Sequence, residues 1–130
     1  MEPTTGESFC LYLPGMDDVC LEIFLDELSK AYHPEHHLLI VLDGAPSHRS
    51  GQIAHPENIS LLMLPPYSPE LDPAERWFRE FRRELSNTTF GSVVLLQEAL
   101  TRTLRPYWED PALLKRLTGY SWWVEAVEAL

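Results

Sequence analysis

Five consecutive apolar residues, Leu38 to Leu42, run straight into Asp43-Gly44. This β-favouring run predicts a strand from His37 to Leu42, of the kind a parallel sheet covers on both faces. A second run, Ile59 to Leu64, reads the same way and is stopped by Pro65-Pro66. Two such strands imply an α/β arrangement with a parallel pair at its centre. Asp43 would then stand at the carboxyl end of a strand, where ligands gather in open α/β sheets.

The remaining segments fit around that pair. Glu7 to Leu13 alternates loosely and ends at Pro14-Gly15, which predicts a strand and a turn. A helix should begin at Asp17 or Asp18 and end near Tyr32, with Val19, Ile23, Phe24, Leu25 and Leu28 as its apolar face. Ser47 to Ala54 has room for a short helix. Pro65 to Pro73 holds four prolines in nine residues, a stiff extended connection. Asp72 then reads as an N-cap, with Pro73 at the first helical position. That helix should run to Ser86 or Asn87 behind a stripe of Trp77, Phe78, Phe81 and Leu85. Another covers roughly Ser92 to Leu104, and Pro111 to the C-terminus reads as mostly helical.

Charge limits the partners. The 130-residue chain carries a formal net charge of -10, an unfavourable footprint for a polyanion. Its distribution is uneven. Up to Ser47 the only strong cation is Lys30, whereas Arg76, Arg79, Arg82 and Arg83 crowd one segment. Any nucleic-acid contact is expected there, or through residues outside this chain. The longest apolar run is too short to cross a bilayer, and Met1 to Gly15 carries no secretory pattern. Cys10 and Cys20 read as reduced thiols packed as small hydrophobes, which suits a cytoplasmic protein without membrane contact.

Two acids stand where chemistry could occur. Asp43-Gly44 also suits an ordinary turn in which the Asp side chain bonds nearby amides. Glu75, three residues after Asp72, also suits a capping box or an ion pair with Arg79. Helical geometry sets Glu75, Arg79 and Arg82 on one stripe, able to offer an acid to a metal and guanidiniums to phosphates. His48, five residues after Asp43, is an accessory candidate at the same site or simply a helix-start residue. His33, His36 and His37 fit no zinc spacing and read as a solvated loop.

The segments LIVLDGAPSHRS (Leu39 to Ser50) and LLMLPPYSPELDPAERWFREFRREL (Leu61 to Leu85) together resemble the DDE transposases of bacterial insertion sequences in the mariner superfamily. The likeness extends from about Thr5 to Tyr120. It implies an RNase H-like catalytic core and an enzyme that cuts and rejoins DNA with Mg²⁺ or Mn²⁺. On that likeness Asp43 matches the second catalytic and metal-binding acid, and Glu75 the third. Arg79, Arg82 and Arg83 become the DNA-binding residues. Asp72 stands where these enzymes commonly carry Asn. Hard oxygen ligands suit Mg²⁺.

The resemblance also sets an expectation of incompleteness. The first catalytic acid belongs on a strand upstream of Glu7, so residues 1–130 read as a partial, N-terminally truncated catalytic domain that also lacks the helix-turn-helix. A helical C-terminal extension occupies about 91–130. Activity in DNA transposition would then require an upstream segment, and the chain reads as a truncated gene product or as one half of a frame-split product. Two other readings stay open: a non-catalytic module that binds or inhibits full-length transposase, and the product of a decayed gene.

Overall fold

The computed structural model describes residues 1–43 and 53–130, and the chain divides into two compact units. One comprises Phe9–Asp72. The other joins Met1–Ser8 to Pro73–Leu130.

In the first unit, helix α1 (Asp18–Ala31) precedes strands β1 (Leu38–Leu42) and β2 (Ile59–Met63). Asp17 caps the helix, its Oδ1 accepting from the Cys20 amide at 2.8 Å. That bond favours the carboxylate and holds the Asp17 carboxyl below its ordinary range. At the other end Lys30 reaches Asp26 at 2.9 Å and Glu27 at 3.2 Å. The strands pair in parallel, with Leu38 opposite Ile59 and Leu42 opposite Met63. Period-two alternation sends Leu38, Ile40, Ile59 and Leu61 to one face, where they pack with Leu25, Leu21 and Phe24 of α1 and with Ile53. Ser29 Oγ donates to Asn58 Oδ1 at 2.7 Å, tying α1 to the residue before β2.

Three expectations change in this unit. Glu7 to Leu13 forms no strand: among the described residues the sheet holds β1 and β2 alone. Alternation can propose a strand, but only a ladder of hydrogen bonds makes one. Among the described residues the core packs against one face of β1, and the other face is only partly covered, with Val41 half-buried. Leu39 and Leu62, on the opposite side of the pleat from Ile40, are 45% and 49% exposed. In α1 the buried side chains are Cys20, Leu25 and Leu28, whereas Val19 and Ile23 face solvent. The expected helix over Ser47 to Ala54 lies largely outside the described residues; Ile53 and Ala54 are irregular.

The second unit is helical. It contains α2 (Ala74–Leu85), α3 (Val93–Glu109), α4 (Pro111–Thr118) and α5 (Ser121–Glu128). Its core is Trp77, Leu104 and Leu114, with Met1, Phe81, Tyr107 and Leu117 packed around them. Trp77 meets Phe81 at 5.0 Å and Tyr107 edge-on at 5.5 Å. Phe78, expected in the same stripe, is exposed instead. Helix α3 starts at its Ser92 cap, whose Oγ accepts from the Leu95 amide at 3.2 Å. It continues past the expected end at Leu104, through Pro106, to Glu109. Asp110 then caps α4, accepting from the Ala112 amide at 3.2 Å, with Pro111 at the helix start. Gly6, at φ +82°, lies so close to the Pro111 carbonyl that a Cβ there would collide with it. Glycine is therefore what lets the N-terminal residues lie against α4. The two cysteines are free, Cys20 buried and Cys10 exposed.

Candidate functional site

Asp43 follows β1 directly. The ladder holds to the end of that strand, because the Leu64 amide donates to the Leu42 carbonyl at 2.8 Å. The aspartate is thereby fixed by a hydrogen-bonded backbone, and its residue is half-buried. It belongs to the Phe9–Asp72 unit. His48 lies outside the described residues.

Glu75 belongs to the helical unit, in the first turn of α2. Pro73 has helical dihedrals (φ −59°, ψ −27°), and Asp72 is extended and closes a 3-10 turn over Pro69–Leu71. The helix therefore starts within one residue of the expected position. Glu75 sits where the helix dipole favours a negative charge. It does not pair with Arg79. Its Oε2 accepts from Arg82 Nη2 at 3.3 Å, two turns along. Arg82 is the longer reach, but seven residues make almost two full turns and return the side chain to the same stripe.

The other arginines part company. Arg79 is exposed and joins no ion pair among the described residues. Arg83 turns to acids of its own helix, reaching Glu80 at 2.6 Å and Glu84 at 3.6 Å. Arg76 lies over the Tyr120 ring, 5.6 Å from its centre, and donates to the Tyr120 hydroxyl at 3.4 Å. Sequence periodicity carried no signal for that contact, because Tyr120 is far away in order.

Carboxylate oxygens are hard donors, and Mg²⁺ or Mn²⁺ takes one or two of them together with water. Asp43 and Glu75 have the right chemistry for such an ion. Among the described residues no group of three or more His, Cys, Asp or Glu gathers as a metal-binding set. No helix among them is long and apolar enough to cross a membrane.

A parallel strand pair ending on an aspartate, and a helix opening on a glutamate, belong to a mixed helix and strand protein with acids at element ends. Residues 1–97 match the DDE superfamily endonuclease family, and the chain belongs to that family. The chain is also 35% identical over 89 residues to "Uncharacterized protein y4pE/y4sA" of Sinorhizobium fredii. The aligned stretch covers 68% of this chain and 66% of that relative, so the chain spans slightly less than two thirds of the relative's length. No solved structure matches.

Proposed function

We propose that the chain is part of an insertion-sequence transposase of the mariner superfamily, with an RNase H-like catalytic core, acting in metal-dependent DNA cleavage and strand transfer. The observation that carries this reading is Asp43 at the carboxyl end of the parallel strand β1, in a chain of the DDE endonuclease family. Asp43 and Glu75 are two of the acids that hold Mg²⁺ or Mn²⁺. When bound, such ions supply an activated water or 3′-hydroxyl and charge stabilisation at the leaving oxygen. The chain's own residues do the rest. The β1 backbone orients the Asp43 carboxylate, α2 presents Glu75, and Arg82 beside it neutralises a neighbouring phosphate or returns to Glu75. Arg79 adds an exposed guanidinium for the DNA backbone, and Arg83 does so by exchanging Glu80 for phosphate.

The test is cleavage of end-labelled transposon-end duplex in Mn²⁺, by the chain alone and with an added polypeptide bearing a strand-borne aspartate and a helix-turn-helix. Cleavage in either mixture that disappears in Asp43→Ala supports the reading. Cleavage by the chain alone that survives Asp43→Ala overturns the site.

One observation favours a second reading. The exposed Leu39 and Leu62 suit a non-catalytic module that binds full-length transposase. Co-purification with the full-length enzyme, lost in Leu39→Asp, supports it; an unchanged monomer in the presence of that enzyme counts against it.

A further inference from the structure

Helices α2, α3 and α4 enclose an open groove of about 850 Å³ within the helical unit. That is within the size range of ligand clefts, roughly 300–1,000 Å³. Each helix offers one stripe to it. From α3 come Arg102, Thr103 and Tyr107, at spacings that share a helix face, and from α4 comes Arg116. Helix α2 contributes Arg83 with its partners Glu80 and Glu84. The floor is apolar, and Phe90 adds an aromatic ring.

The charges in the groove are not equivalent. Arg83 is already answered by two carboxylates. Arg102 and Arg116 form no ion pair among the described residues, and both are exposed. Burial raises the Tyr107 hydroxyl above its ordinary pKa, as do Glu80 and Glu84, against the opposing effect of Arg83. The phenol therefore stays protonated and able to donate. The Thr103 hydroxyl is spent on the Ala99 carbonyl at 3.0 Å, but two unanswered guanidiniums and a phenol beside an apolar floor are matched by a ligand that alternates anionic oxygens with apolar rings.

We propose that the α2–α3–α4 groove binds the sugar-phosphate backbone of a DNA segment, with Arg102 and Arg116 on its phosphates. The choice of DNA over another polyanion rests on the function proposed above; the groove itself does not. Arg102 and Arg116 lie beyond residues 1–97, the part of the chain that matches the endonuclease family. Glu75 is not among the residues that line the groove.

The experiment uses the full 130-residue chain and a fluorescein-labelled 20-base-pair duplex, titrated at several salt concentrations. Polyglutamate serves as a competitor of matching charge. The double variant Arg102→Gln/Arg116→Gln should bind roughly tenfold more weakly at low salt, and the slope of log affinity against log salt should fall by roughly two, one counterion-release step per lost phosphate contact. Both side chains are exposed, so the variant is expected to melt with the wild type, and its Mn²⁺ binding, followed by electron paramagnetic resonance, should be unchanged. Wild-type chain that fails to bind the duplex overturns the proposal. So does a double variant with unaltered affinity and slope, or competition by polyglutamate as strong as by DNA. Loss of Mn²⁺ binding on changing Asp43 or Glu75 is read separately, so failure of the metal site and failure of the groove are distinguishable.

Discussion

Glu75 Oε2 accepts a hydrogen bond from Arg82 Nη2 at 3.3 Å, joining the acid at the start of α2 to a guanidinium near its end. The pair links the two chemistries proposed for this helix, metal binding and phosphate contact. Arg82 is 69% exposed and Glu75 33%, so solvent screens their attraction.

Removing Arg82 should therefore matter little to folding and more to ligands. Arg82→Gln is expected to change urea-denaturation stability by no more than about 0.5 kcal/mol. In the same protein Glu75 is released from its guanidinium partner, and Mn²⁺ affinity should rise while duplex affinity falls. Calorimetric titration with Mn²⁺ and fluorescence titration with duplex check the two directions. A fall in metal affinity would show that Arg82 supports the carboxylate rather than competing for it.

The two faces of the sheet should respond oppositely to substitution. Leu25 and Ile59 are 0% and 2% exposed in the core beneath the strands. Leu25→Ala or Ile59→Ala should cost about 2–5 kcal/mol through lost burial and the cavity left behind. Leu39→Ser, on the open face, should stay within about 0.5 kcal/mol of the wild type. Chemical denaturation of the three variants measures this contrast. A large loss in Leu39→Ser would mean that the face is covered in solution.

Acid should weaken the start of α1. The folded Asp17 carboxyl is held below its ordinary 3.8 by the Cys20 amide. The stability from that contact is fully present above the unfolded value and is lost as pH falls through the lower folded one. Asp17→Ala should thus melt below the wild type at pH 6, with the gap narrowing as pH drops beneath 3.8. Thermal melts followed by circular dichroism between pH 6 and pH 2 test the sign.

Much of this was legible in the residues, and the failures have physical causes. The pair β1 and β2 followed from two short apolar runs with clear stops. Helix α2 followed from the Asp72-Pro73 start and its aromatic spacing, although periodicity alone placed Phe78 inward where packing left it exposed. The end of α3 was misplaced because a proline normally terminates a helix. Here Pro106 sits within the last turn, and its carbonyl accepts from the Asp110 amide at 3.0 Å. Glu7 to Leu13 had a strand's alternation without a strand's pairing, a property that belongs to neighbours and not to the segment. At the candidate site, the placement of Asp43 after β1 and of Glu75 in the first turn of α2 was readable from motif and position. The partner of Glu75 was not, since Arg79 and Arg82 share a stripe and rotamer choice decides between them. Arg102 and Arg116 carried no signal, because only tertiary packing gathers them around one groove.

The central claim is that Asp43 and Glu75 are metal-binding carboxylates of a DNA-processing enzyme. Its most direct test is Mn²⁺ binding by electron paramagnetic resonance on the wild type, Asp43→Asn, Glu75→Gln and the control Glu98→Gln. Both site variants should bind Mn²⁺ at least roughly tenfold more weakly, a loss of about 1.4 kcal/mol, while the control matches the wild type. Identical Mn²⁺ affinity in all four proteins would contradict the account.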